Sequence, residues 1–269
     1  MSKQYLAIGA HPDDMEGRMG GALWKLCRSG HKVKIVSLTN GNAGHHSMSS
    51  EALAARRKTE IGKVTNLAGL AEYEVLDIAD GRLEATLPNR ERVIRTIRKF
   101  NADVVFTFRT CDYHPDHRAA AQLVQDASYL IGVPLVCPDT PVPKNRPVVL
   151  LTHDTFRKPC AFSPDIALAI DDVVAEKVKL LACHASQLFE WLPHDSRVLG
   201  TVPSSPEARI EWLKINFLSI NKVQADMFRE LLQRRYGAKS SGIEYAETFE
   251  VSEYGRQPGA EELNALLPD

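Results

Sequence analysis

Two short clusters in this chain place imidazoles and carboxylates at spacings suited to holding one cation. The first is His11-Pro-Asp13-Asp14, in which His11 and Asp14 stand three residues apart. In a turn or a first helical turn, that spacing puts both side chains on one side. The second is His114-Pro-Asp116-His117. Two ligands from one loop and a third from the other leave an open position, the arrangement of a catalytic zinc. A structural site would recruit a fourth ligand, often Cys, and none lies near. Imidazole and carboxylate suit Zn2+, and they also suit Fe2+, Co2+ or Mn2+, so the donor types do not select the metal.

A divalent ion can bring the pKa of a water to about 7 and yield a hydroxide nucleophile. Hydrolysis of an amide then needs a base, an oxyanion partner and a proton for the leaving amine. Asp13, beside a ligand but aimed differently, is the natural base. His114, the imidazole left over beside a ligand, is the natural oxyanion partner. Asp116 could orient that imidazole and stabilise its charge, as carboxylates do for catalytic histidines.

The elements around these clusters say how they could meet. Tyr5 to Ala10 is a short apolar run and reads as a buried strand. A helix from Met19 to Ser29 stops at Gly30, and a second strand covers Lys32 to Leu38. Helix patterns follow at 51–67, 89–100 and 115–131, with strands at 75–78 and 103–108 between them. This alternation predicts an α/β fold, a mostly parallel sheet with helices on both faces. Ligands in such sheets bind beyond the carboxyl ends of the strands. The loops at His11 and His114 both follow strands, so they are expected at one edge, though roughly a hundred residues apart. Further strands are expected at 148–152, 166–170 and 245–251, and helices at 171–183 and over one long stretch, 207–236.

Composition narrows the classes. The 269 residues are 44% hydrophobic and 25% charged, which fits an ordinary globular chain and excludes disordered, collagen-like and coiled-coil classes. Lys and Arg number 33 against 34 Asp and Glu, so no nucleic-acid partner is expected. The five cysteines are odd in number, widely spaced and contain no CxxC, which argues against a disulfide framework or zinc finger and for a reducing compartment. No apolar run has membrane-helix length, and the first strand begins too early for a signal peptide. A cytoplasmic protein without a membrane partner is expected.

With Gly20-Gly21 added, the run Ala10-His11-Pro-Asp13-Asp14-Met-Glu16 and the later His114-Pro-Asp116-His117 resemble the PIG-L/LmbE-like family of metal-dependent N-deacetylases. Weaker features agree: Thr39-Asn-Gly-Asn-Ala-Gly44, Arg57-x-x-Glu60, Asp80-Gly81 and Lys179-x4-His184-Ala-Ser-Gln187. The resemblance implies a Rossmann-like fold and removal of an N-acetyl group from a small substrate, often a glucosamine conjugate. It implies His11, Asp14 and His117 as metal ligands and Asp13 as base. It also implies His114 with Asp116 at the oxyanion, and Arg57 and Asp80 on the substrate. Some members place a tyrosine two residues before the first histidine of the second motif. Here that position is Asp112, and Tyr113 comes next.

The whole chain, 1–269, reads as one domain with a motif-bearing core over about 4–190 and a C-terminal helical and strand extension over about 207–255. Leu213, Phe217, Ile220 and Phe228 are expected either to pack internally or to form a subunit interface in a homo-oligomer. Trp191 and Trp212 read as core or interface aromatics. Two rival readings share the pattern: a sugar-nucleotide binding protein without hydrolysis, and a metal hydrolase acting on another C–N bond. The first lacks support, because no GxGxxG follows the first strand.

Overall fold

A computed structural model describes residues 2–269. In its first half β1 (Gln4–Gly9), α1 (Asp14–Arg28), β2 (Lys32–Ser37), α2 (Ser50–Ala68), β3 (Glu72–Val75), α3 (Leu87–Phe100), β4 (Val104–Thr107) and α4 (Pro115–Leu130) alternate. β5 (Val148–Thr152), β6 (Ile166–Ala169) and α5 (Val174–Cys183) follow. A π-helical turn (Gln187–Trp191) then leads into α6 (Leu192–Asp195). The chain continues through α7 (Pro206–Phe217), α8 (Ser219–Met227), α9 (Arg229–Tyr236), β7 (Ala246–Val251) and α10 (Ala260–Leu266).

The strands form one sheet in the order β3-β2-β1-β4-β5-β7-β6. The first five are parallel, and β7 runs antiparallel between β5 and β6. Tyr5, Leu6, Ala7 and Ile8 of β1 are all at most 1% exposed, as a central strand covered on both faces must be. The chain winds outward from β1 to β3, then returns to β4 on the other side of β1. That reversal opens a crevice at the carboxyl ends of β1 and β4, which pair directly from Tyr5↔Val104 onward. The loops holding His11 and His114 leave from those two ends.

Three expectations need correction. The third strand lies at Glu72–Val75 rather than 75–78, because it is an edge strand of alternating polar and apolar residues, not an apolar run. The stretch 207–236 is three helices, broken at Leu218 and Phe228. Neither break carries Gly or Pro. Leu218 is buried, and the turns let α7 pack on α5 while α8 packs on β7. The third concerns α1, which begins at Asp14 and kinks at Met19 (φ −144°).

That kink has a built-in partner set. The Gly21 and Ala22 amides, freed by the kink, donate to the Glu247 carboxylate of β7 at 2.9 and 2.7 Å. Lys177 Nζ of α5 donates to Glu247 Oε1 at 2.7 Å and to the Gly17 carbonyl at 2.9 Å. Both charged side chains are at most 1% exposed. Gly21 is required by close approach: a Cβ there would stand 2.6 Å from Ile170 Cγ2. The lysine that reaches the kink is thus Lys177, whereas Lys179, the lysine of the weaker sequence pattern, is exposed.

Candidate active site

The end of β1 is tied down first. Thr39 Oγ1 and Ser37 Oγ donate to the Ala10 carbonyl at 2.8 and 3.1 Å. From there the chain turns through His11 to Asp14. Asp14 Oδ2 accepts the Ala10 and His11 amides at 2.9 and 2.6 Å, which fixes the carboxylate and leaves Oδ1 facing outward. On the neighbouring strand, His114 caps α4: its Nδ1 accepts the Asp116 amide at 3.2 Å, and Pro115 fills the first helical position. One turn on, His117 lies flat against the Phe108 ring, 4.5 Å between centroids.

Donor atoms of three side chains converge here. His11 Nδ1 and His117 Nε2 are 3.2 Å apart, His117 Nε2 and Asp14 Oδ1 3.3 Å, and His11 Nδ1 and Asp14 Oδ2 3.5 Å. A tetrahedral ion with bonds of about 2.0–2.1 Å has donor–donor edges of about 3.3–3.4 Å. The His11–His117 and His117–Asp14 Oδ1 separations match that edge, while Asp14 approaches His11 through its other oxygen, Oδ2.

The outer nitrogens of the two histidines support the same reading. His11 Nε2 lies 3.0 Å from Asp80 Oδ1 and 3.3 Å from Asp116 Oδ2. His117 Nδ1 lies 3.0 Å from Asp112 Oδ1. Each carboxylate takes the N–H of its ring and turns the lone pair of the other nitrogen inward, the orientation a metal ligand needs. Burial opposes charge on His11, yet hydrogen bonds to Asp116, Asp14 and Asp80 push its pKa up to about 12. His117 is pushed up to about 9, because Asp14 and Asp112 outweigh its burial. The carboxylates have built a place for positive charge, which an ion can take over from the protons. His11, His114 and His117 also bring nitrogens within 4.8 Å of one another. His114, however, uses Nδ1 for the helix cap, and Asp14 stands closer to both other histidines.

Asp13 sits beside this cluster in a backbone conformation of φ +120°, a left-handed value that is costly for a non-glycine residue. Its Oδ1 pairs with Arg57 Nη2 at 2.9 Å. The same guanidinium donates to the Pro12 carbonyl, and it packs so closely on Gly41 (φ +63°) that a Cβ there would stand 2.6 Å from Nη1. Burial raises the Asp13 pKa, and the Arg57 charge works against that rise. The Asp13 amide donates to Tyr73 Oη at 3.3 Å, Tyr73 Oη donates to Glu16 at 3.4 Å, and Glu16 meets His184 Nε2 at 2.9 Å. Burial, then repulsion from His11 and His117, lower the His114 pKa. His114 is therefore neutral at pH 7, with Nδ1 accepting and Nε2–H left as donor.

These groups line a cavity of about 720 Å³. His11, Asp13, Asp14, His114, His117, Arg57, Asp80 and Tyr113 all border it. Tyr113 is 70% exposed, its ring edge-on to His114 and His117. Asp116 is brought in with a different partner from the one expected. Its carboxylate accepts the Gly81 and Leu83 amides and faces His11, and only its backbone touches His114. Asp80 likewise reaches His11. Arg57 is 2% exposed, and Glu60 pairs with Arg56 and Ser186.

Sequence reasoning missed Asp112, which holds His117, the His114 amide and Arg18. As a lone acidic residue in a polar loop it carries no pattern of its own. The reasoning also placed Trp191 in a core or an interface, whereas the π-helical turn aims it into the cavity. Leu213 packs with Leu188 and Phe189, Phe217 and Ile220 border the cavity, and Phe228 packs on His153 and Phe162. Leu213, Phe217 and Phe228 therefore have partners within the chain, and Ile220 faces the cavity.

Residues 6–128 match the PIG-L family, described as GlcNAc-PI de-N-acetylase. A diacetylchitobiose deacetylase of Thermococcus kodakarensis is 29% identical over 208 residues, spanning 71% of this chain and 74% of that protein. Among solved structures, the N,N'-diacetylchitobiose deacetylase of Pyrococcus horikoshii superposes with a TM-score of 0.73. It shows 22% identity and covers 94% of this chain and 85% of its own. The 4-carboxy-2-hydroxymuconate hydratase GalB of Pseudomonas putida KT2440 superposes at 0.71, also with 22% identity, covering 96% and 98%. The two structures share the fold while catalysing different reactions, so the reaction has to be argued from the site. No helix among the described residues is long and apolar enough to cross a membrane.

Proposed function

We propose that this chain is a metal-dependent N-deacetylase acting on an N-acetylated amino sugar or its conjugate. One observation carries the reading. Donor atoms of His11, His117 and Asp14 stand 3.2 to 3.5 Å apart, and the two histidines have their outer nitrogens held by carboxylates, in a cavity that also holds a buried carboxylate and a neutral imidazole donor. The deacetylases among the chain's relatives support the choice of bond.

His11, Asp14 and His117 would hold the ion, with zinc the first choice and Fe2+, Co2+ or Mn2+ equally served by these donors. When bound, the ion supplies Lewis acidity toward the acetyl carbonyl and makes water easier to deprotonate. Asp13 Oδ1 is occupied by Arg57, so Oδ2 takes the proton from the attacking water. Its raised pKa lets it keep that proton. The His114 Nε2–H donates to the oxygen that gains charge as the carbonyl carbon becomes tetrahedral. The C–N bond then breaks, the amine leaves with the proton held by Asp13, and acetate remains. Asp116, Asp80 and Asp112 keep the histidines in register. Arg57 and Asp80 also border the substrate, with Tyr113 at the rim. The five free cysteines support a reducing, cytoplasmic setting.

The test is release of acetate and free amine from N-acetylglucosamine glycosides by the metal-loaded protein. Asp13→Asn should keep its metal and lose about 10²–10⁴-fold in kcat. Wild-type turnover in that variant would remove Asp13 as base. A product other than acetate would move the assignment to another C–N bond, and binding without turnover would favour the non-hydrolytic reading.

A further inference from the structure

The cavity has two unlike ends. The chemistry sits on the β1 and β4 loops, inside the segment that matches the family. The opposite wall comes from chain beyond residue 180: Leu181 of α5, Leu188 and Trp191 of the π-helical turn, Leu192 of α6, Phe217 of α7 and Ile220 of α8. All six are apolar. The polar side chains on that side are Gln187 and Asp195, and the Gln187 amide already donates to the Gly44 carbonyl at 2.9 Å.

This wall suits a second sugar ring poorly. Trp191 alone could serve as a stacking platform for a pyranose face. Five aliphatic and phenyl side chains beside it offer no partners, and hydroxyls brought against them would lose water without replacement. An apolar group gains from the same transfer. The cavity, at about 720 Å³, also has room for more than a single hexosamine ring.

Resting on the deacetylase reading, we propose that the substrate is an N-acetylated amino sugar bearing an apolar substituent, an alkyl or aryl group that seats against this wall, rather than a chito-oligosaccharide. The acetamide lies at the His11/Asp14/His117 end. The substituent runs toward Phe217 and Ile220.

The test compares two glycosides that differ only in the aglycone. With zinc-loaded protein, kcat/KM is measured for methyl and hexyl N-acetyl-β-D-glucosaminide, and N,N'-diacetylchitobiose is run alongside. The hexyl compound should exceed both others by at least about tenfold, mainly through KM, in line with burial of two or more methylenes. The double variant Phe217→Ser/Ile220→Ser should bring the hexyl-to-methyl ratio to within about twofold of unity. That ratio is read within one preparation, so partial loss of folded protein does not affect it. Equal rates for hexyl and methyl in the wild type, or faster turnover of diacetylchitobiose, would overturn the inference while leaving deacetylation intact. If no compound is hydrolysed, the deacetylase reading fails separately. Calorimetric binding of the two glycosides then decides: hexyl at least about tenfold tighter supports the wall's role, and equal affinity overturns it.

Discussion

The buried Glu247–Lys177 pair that fills the kink of α1 gives a prediction that can be worked through from distances alone. Replacing Glu247 with Gln keeps the shape and still offers one oxygen to the Gly21 or Ala22 amide. It removes the counter-charge from Lys177, which is 1% exposed and would retain only the Gly17 carbonyl. An ammonium left without its carboxylate in such a place costs about 3–5 kcal/mol. At about 2–4 °C per kcal/mol for a protein of this size class, the midpoint should fall by roughly 6–20 °C. Adding Lys177→Met removes the stranded charge and keeps most of the volume, so the double variant should recover to within about 1–2 kcal/mol of wild type. Urea unfolding of the wild type, both single variants and the double variant closes the cycle. A double variant as unstable as Glu247→Gln would show that the loss came from the amides of the kink or from packing, and the charge argument would be refuted.

Further outcomes follow from the site. Asp112→Asn should weaken zinc binding by about 10–100-fold in a chelator competition, because the charge that orients His117 is gone, and unchanged affinity would detach Asp112 from the metal centre. In Arg57→Lys, a single ammonium cannot reach Asp13, the Pro12 carbonyl and Gly41 together. With less positive charge beside it the Asp13 pKa rises. Since the base works above its pKa, the acid limb of kcat/KM should move to higher pH, and a shift to lower pH would contradict the ion pair. Zinc binding at pH 7 should release about two protons per ion, because the His11 pKa (about 12) and the His117 pKa (about 9) both lie above 7 in the metal-free protein. Calorimetry in buffers of different ionisation enthalpy counts them, and a count of zero would exclude these two ligands.

Much of the fold was legible because buried parallel strands write themselves as apolar runs. Val148 to Thr152 lies where its composition put it, and β1, β2 and β4 agree within a residue or two. The meeting of the two motifs was legible too, since strand–helix alternation fixes which sheet edge both loops share. What stayed hidden depends on tertiary partners. The helix break at Leu218 answers to packing on α5 and β7 and leaves no Gly or Pro behind. The insertion of β7 between β5 and β6 pairs strands nearly a hundred residues apart. Asp112, Asp80 and the carboxylate of Asp116 find their histidines only once the sheet is assembled. His184 does end its helix as expected, but its ring turns inward to Glu16, a contact spanning 168 positions that local pattern cannot show.

The turn from Ala10 to Asp14 braces itself, since the Asp14 carboxylate is held by two amides of the same turn. On the proposed ligand set, Asp14 is therefore positioned by the turn itself, and this turn would not have to fold around an ion. Loading becomes a matter of encounter and of shedding water and protons, and loss of the ion leaves the turn standing. One metal can then be exchanged for another in the folded protein. If these donors hold a divalent ion as proposed, their types accept several, and the occupant in a cell would follow supply more than selection by the site.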